Sequence, residues 1–213
     1  MQTLENRFIA ILAIIYTVGI IGFSIPSLNP LFLKLTPYNL IVSFLLALVF
    51  SKKWSFPEIS ILLIIGILGF FVELAGVQTK LIFGDYSYGK TFGAKWLDVP
   101  YLIGLNWAAM IYYSSNILVG RVKNPWVAAG IGALLMTIYD FFLEPVAMKY
   151  DFWDWKSHSV PLQNYIAWFV IALIFHRLYN YMAKPTKNKI ASSLYVIQLL
   201  FFVGLYILIQ LGF

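Results

Sequence analysis

Apolar runs of close to twenty residues recur along this chain, and they limit its possible folds more than any other feature. A run of that length spans the roughly 30 Å hydrocarbon core of a bilayer as an α-helix, which satisfies its backbone N–H and C=O groups internally. Seven such segments can be read. The first runs from about Phe8 to Ile25 and stops at Pro26. The second runs from about Pro37 to Phe50, or from Leu31 with a kink at Pro37. The others run from about Ile59 to Thr79, from Val99-Pro100 to Gly120, from Trp126 to Met148 with Pro145 bending its end, from Leu162 to Met182, and from Ile190 to Phe213. Only 11% of the residues are charged, against about 25% in a soluble domain, so a water-facing surface could not be covered. The expectation is an all-α, polytopic transmembrane helical bundle of about seven helices, with residues 1–213 forming a single integral membrane domain.

The net charge of +6 comes from Lys and Arg placed mostly in short loops between apolar segments. That placement points to membrane topology and anionic lipid headgroups as partners, not to nucleic acid. With seven spans, the side holding the N-terminus carries nine basic residues: Arg7, Lys52, Lys53, Arg121, Lys123, Arg177, Lys184, Lys187 and Lys189. The other side carries six, which predicts a cytoplasmic N-terminus in a multi-pass protein of the cell membrane. The first apolar run lacks a small-residue cleavage site and reads as a retained helix. The chain has no cysteine, which excludes disulfides, thiolate metal sites and cysteine nucleophiles.

Charged groups inside a membrane helix are costly and mark function by default. Glu73 falls in the last third of the third segment, and Asp140 and Glu144 in the last half of the fifth. The i,i+4 spacing of the last two puts them on one helical face. Asn106 and Asn164 lie near the starts of the fourth and sixth segments, which run the opposite way. Five polar groups from four helices therefore share one half of the membrane. The two longest connections, Lys80 to Asp98 and Lys149 to Pro161, lie on the same side. The plain alternative is that these groups hydrogen-bond each other and hold the helices together. It is weakest for the carboxylates, because no buried Lys or Arg is available nearby in sequence to neutralise them. A carboxyl without a cation in low dielectric favours its neutral form, and a neutral acid facing an apolar cavity is a candidate proton donor.

Trp54, Trp126 and the tyrosines near the last connection read as interfacial belt residues. Tyr86, Tyr88, Trp96, Tyr101, Trp107, Trp153, Trp155 and Trp168 surround the carboxylate-bearing half and could line a long apolar ligand or face a developing cation. His158 and His176 have no metal-ligand spacing and read as interfacial. A retinal protein would need a Schiff-base lysine in the last helix, and Ile190 to Phe213 has none.

The stretches "ELAGVQTKLIFGDYSYG" from Glu73, "VPYLIGLNWAAM" from Val99, "YDFFLEPVAMKYDFWDW" from Tyr139 and "PLQNYIAWF" from Pro161 resemble the membrane carotenoid-biosynthesis proteins that include bisanhydrobacterioruberin and γ-carotene end-group hydratases. Two stretches depart from the family pattern. Lys80-Leu81-Ile82-Phe83 replaces a polar, proline-containing run, and Lys156 to Val160 replaces a glycine-tyrosine-rich segment. The resemblance implies a carotenoid hydratase, a hydro-lyase that adds water across the terminal isoprenoid double bond of a lipid-soluble acyclic carotenoid. It implies no redox cofactor and no metal.

Such chemistry protonates a trisubstituted alkene, stabilises a tertiary cation and captures it with water. The expected catalytic residues are Glu73, Asp140 and Glu144, with Asp140 or Glu144 supplying the proton and Glu73 handling water, or the reverse. Asn106 and Asn164 would hold water or a carboxyl. Tyr86, Tyr88, Trp107, Trp153, Trp155 and Trp168 would line the end-group pocket. Three other readings remain open: a carotenoid cyclase or isomerase starting from the same protonation, a proton-coupled transporter with carboxylates as relays, and a structural membrane subunit.

Overall fold

Polar caps and prolines set where the helices begin. A computed structural model describes residues 2–51, 55–183 and 185–212. Within it the helices are α1 (Gln2–Ser24), α2 (Asn29–Val49), α3 (Phe56–Thr79), α4 (Tyr101–Leu118), α5 (Pro125–Lys149), α6 (Leu162–Met182) and α7 (Lys189–Gln210). Ser55 caps α3, its hydroxyl accepting from the Glu58 N–H at 3.3 Å. Asn124 caps α5, its side-chain Oδ1 accepting from Trp126 N at 2.9 Å and Val127 N at 3.3 Å. Prolines occupy the first turns of both helices, where the missing N–H costs nothing. Asn188 caps α7 through the Ala191 N–H at 3.1 Å, and its side-chain amide also donates to Ala47 O and to the Tyr112 hydroxyl. One residue thus ties α7 to α2 and α4.

The element boundaries differ from the sequence reading in three places. α1 starts at Gln2 and not near Phe8, because its first polar turn continues the helical hydrogen bonding. α2 is one helix through Pro37, starting at Asn29. The long connections hold strands: β1 (Tyr86–Tyr88), β2 (Lys95–Trp96), β3 (Val99–Pro100) and β4 (Trp153–Trp155). Lys52, Lys53, Trp54, Lys184 and Phe213, used above in reading topology, belts and the last helix, lie outside the described residues.

α5 packs against α6, α3 against α4 and α1 against α7. α4 is the most enclosed helix, with nearly all of its side chains from Leu102 to Asn116 buried. The outer faces carry large aliphatics such as Ile11, Ile14 and Ile21 on α1, Leu63 and Ile67 on α3, and Leu134 on α5. An apolar exterior around a partly polar interior is the arrangement of a multi-pass membrane protein. α1, α2, α3, α5 and α7 are long and apolar enough to cross a bilayer. α4 has 18 residues and carries Asn106, Ser114, Ser115 and Asn116, while α6 carries Asn164, His176 and Arg177. These two more polar helices hold much of the bundle's internal hydrogen bonding.

His176 corrects the interfacial reading. It is buried, with Nε2 3.1 Å from the Ser114 hydroxyl and Nδ1 2.9 Å from the Ser115 hydroxyl. It pins α6 to α4 from within. His158 is exposed, 3.5 Å from Asp154.

Candidate functional site

β1 and β4 bring the two long connections together at one end of the bundle. They pair antiparallel, Tyr86 opposite Trp155, Ser87 opposite Asp154, and Tyr88 opposite Trp153. Successive strand residues point to opposite faces, so all four aromatics turn inward while Ser87 and Asp154 face out. The Gly89 N–H extends the pairing to Phe152 O at 2.9 Å. Outside, Lys80 and Lys156 both reach Asp85, at 3.0 and 3.6 Å. The Lys80 hydrogen bond holds the Asp85 carboxyl below its ordinary range.

The ribbon's inner face closes over the carboxylates. Glu73 Oε2 accepts from the Tyr86 hydroxyl at 2.6 Å and the Tyr88 hydroxyl at 2.7 Å, and Oε1 accepts from Trp107 Nε1 at 3.0 Å. Trp107 can come so close because Gly69 stands one turn before Glu73, and a Cβ there would lie 2.6 Å from the Trp107 Cβ. Burial, and then the charge of Glu73, push both phenols well above the ordinary tyrosine value. They therefore remain donors.

Glu144 Oε2 accepts from Trp153 Nε1 at 2.9 Å and Trp155 Nε1 at 2.7 Å. The Asn164 amide donates to Glu144 Oε1 at 3.1 Å and to Asp140 Oδ2 at 2.8 Å, bridging the i,i+4 pair. Asp140 Oδ1 is buried and accepts no hydrogen bond among the described residues. Trp168 stacks on Trp107 with ring centres 4.3 Å apart.

These groups surround a cavity of about 60 Å³, enough for on the order of two water molecules. Glu73, Glu144, Tyr86, Tyr88, Asn106, Trp107, Trp153, Trp155, Asn164 and Trp168 all line it. Asp140 does not, and stands one hydrogen bond behind the wall. Asn106 lines the cavity without a hydrogen bond to any of the three carboxylates. Trp96 and Tyr101 lie elsewhere, stacked on Phe70 and partly exposed.

Sequence reasoning missed the apolar walls, including Phe83, Phe92, Tyr139, Phe152 and Phe202. Nothing distinguishes those residues from ordinary core in the sequence. It also missed Glu58, a buried carboxyl at the opposite end of α3 that accepts from the Tyr179 hydroxyl at 3.0 Å. Among the described residues no group of three His, Cys, Asp or Glu is arranged to hold a metal ion.

Bundle and site together define a polytopic helical membrane protein with buried carboxylates gathered under an aromatic ribbon. Residues 35–213 match the model of a family described as carotenoid biosynthesis proteins, and the chain belongs to that family. It is similar to the bisanhydrobacterioruberin hydratase of Haloarcula japonica, 27% identical over 119 residues, covering 52% of this chain and 40% of that protein. The match thus spans less than half of the relative's length. No solved structure matches the chain.

Proposed function

We propose that the protein is a carotenoid hydratase that adds water across the terminal isoprenoid double bond of an acyclic carotenoid end group. The observation that carries this reading is the presence of two differently furnished carboxyl groups, Glu73 and Glu144, in the wall of one small aromatic cavity. The hydratase relative supports the same chemistry.

Glu73 and Glu144 each meet three donors, but Glu144 shares its amide with a second carboxyl, Asp140. Glu73 stands alone among two phenols and an indole, the setting that better suits a carboxylate anion. Asp140 and Glu144 share one amide, and among the described residues no ion pair reaches either, so in this reading the pair carries one proton between them. Glu144 is the member facing the cavity and acts as the acid. Its proton adds to the less substituted alkene carbon, leaving a tertiary cation at the other carbon. The indole and phenol rings stabilise that cation with their π faces. Water held by Glu73 attacks, and its surplus proton passes to Glu73. Transfer of that proton back to Glu144 completes the cycle, and the net change is one added water. Asp140 acts as a positioning residue through Asn164. A substrate dissolved in the bilayer suits a site buried within one half of the bundle.

The test is expression in cells that accumulate an acyclic carotenoid, with the pigments resolved by chromatography and mass. A product heavier by one water is expected from the wild type and from neither Glu73→Gln nor Glu144→Gln. An isomeric product of unchanged mass would replace this reading with cyclisation or isomerisation.

A further inference from the structure

A cavity of about 60 Å³ holds water but not a long polyene. Two larger apolar spaces flank the loosely held helix α2, whose buried residues, Ser43, Phe44 and Ala47, all fall in its second half. One space, of about 670 Å³, is a groove across α2, α3 and α4. It shares no wall residue with the carboxylate cavity. The other, of about 290 Å³, lies between α1, α2 and α7. It shares five wall residues with the cavity: Thr36 and Leu40 of α2, Tyr139 of α5, Phe152, and Phe202 of α7. Adjacency to the cavity therefore favours the smaller space.

Its mouth faces the bilayer through the exposed side chains of Ile15, Leu35, Tyr38 and Val42. Its buried Tyr16, Tyr139 and Gln198 side chains are engaged in hydrogen bonds. Gln198 Nε2 donates to the Tyr16 hydroxyl at 2.7 Å, Gln198 Oε1 accepts from Tyr139 at 3.4 Å, and the Tyr16 and Ser43 hydroxyls are 3.2 Å apart. The surface left over is apolar and suits hydrocarbon. Pro37 lies within α2 beside Thr36 and has no N–H to donate to Leu33 O, which weakens the helix where it forms the partition and lets that half bend away more readily.

We infer that the α1–α2–α7 crevice is the port and resting place for the hydrocarbon chain of the carotenoid. The end group passes between α2 and Phe202 to reach Glu73 and Glu144. This inference rests on the carotenoid reading above, and names the face of the bundle through which that substrate enters.

The test compares tryptophans placed in the two apolar spaces. Leu35→Trp and Ile15→Trp fill the crevice, while Leu63→Trp fills the outer groove. All three positions are exposed, so the bundle can fold around each. Each variant is expressed in cells accumulating an acyclic carotenoid and purified in detergent. Product is read by mass, and retained pigment by visible absorbance per protein. Each crevice variant should lower product and retained pigment by roughly tenfold, with Leu63→Trp within about twofold of wild type. The reverse ranking, or equal behaviour of all three, overturns the port. A wild type that retains pigment but forms no hydrated product sinks the hydratase reading alone, and pigment retention by the variants still decides the port. A wild type that neither converts nor retains pigment overturns both.

Discussion

Tyr86 faces Trp155 across the β1–β4 ribbon with ring centres 5.0 Å apart, and the pair joins the two cavity carboxylates. The phenol donates to Glu73 at 2.6 Å, and the indole donates to Glu144 at 2.7 Å. Hydrogen bonds to a buried carboxyl group contribute about 1–3 kcal/mol each, the upper part of that range where the acceptor is ionised, as proposed for Glu73. Tyr86→Phe and Trp155→Phe should each lower hydration by roughly ten- to a hundredfold, since 1.4 kcal/mol is a factor of ten. Because the two rings touch, the double variant should fall short of the product of the single effects. Initial rates of product formation in isolated membranes measure this. Equal rates for wild type and both single variants would remove the ribbon from the chemistry.

The ribbon depends on a close approach between its two loops. A Cβ on Gly89 would lie 1.9 Å from the Asp151 carbonyl oxygen, which cannot give way without moving backbone. Gly89→Ala should therefore separate the loops, with a stability loss of about 1–3 kcal/mol or more. Hydration should fall with it, and protease cleavage within residues 85–98 or 150–160 should quicken. Gly130→Ala is the matched control. Nothing lies within 4 Å of its added carbon, and it sits within α5, where alanine is the better helix former. Thermal unfolding followed by tryptophan fluorescence ranks the two variants.

The bundle and the carboxylates were legible in the sequence because a charge in an apolar run is expensive and stands out. Helix direction then placed Glu73, Asp140 and Glu144 at the end that holds both long connections, and the β1–β4 pairing brings those connections together. The alternation in Tyr86-Ser87-Tyr88 and Trp153-Asp154-Trp155 was a strand signal of period two. Three residues are too few for that signal to stand against a loop. Its consequence, two phenols on one carboxylate and two indoles on another, depends on register, which sequence does not supply. His176 was misplaced for a related reason: its partners Ser114 and Ser115 belong to another helix. Trp107 meets Glu73 only because Gly69 clears the space between α3 and α4.

Asn164 and Asp140 should separate positioning from chemistry. Asn164→Leu removes the amide shared by Asp140 and Glu144 and leaves each buried carboxyl short of a donor. An unsatisfied buried group costs about 1–3 kcal/mol, so this variant should lose stability as well as rate. Asp140→Asn keeps the shape and leaves the cavity wall intact. It should lower kcat by roughly tenfold with KM unchanged, the signature of a lost transition-state contribution. Glu144→Gln should have no rate above background. An Asp140→Asn enzyme as inactive as Glu144→Gln would make Asp140 the acid and displace Glu144 from that role.

Burial of a carboxyl group does not by itself make a site, and α3 offers the comparison within one helix. Glu58 and Glu73 are both buried, fifteen residues apart, or roughly 22 Å at 1.5 Å per residue. Glu58 accepts from Tyr179 and lines none of the three cavities nearest the carboxylates and α2. Its role is to join α3 to α6. Glu58→Gln and Tyr179→Phe should each lower thermal stability, by about 1–3 kcal/mol where a buried partner is left unpaired. Hydration per folded molecule should stay within about twofold of wild type, as expected for sites too distant to couple. Glu73→Gln should instead abolish product per folded molecule, because an amide cannot take up the proton released by water. Product per folded protein, normalised by size-exclusion chromatography of the detergent-solubilised chain, measures both. A loss of product in Glu58→Gln equal to that in Glu73→Gln would show that the chemistry extends to the other end of the bundle, and would overturn the two-carboxylate site.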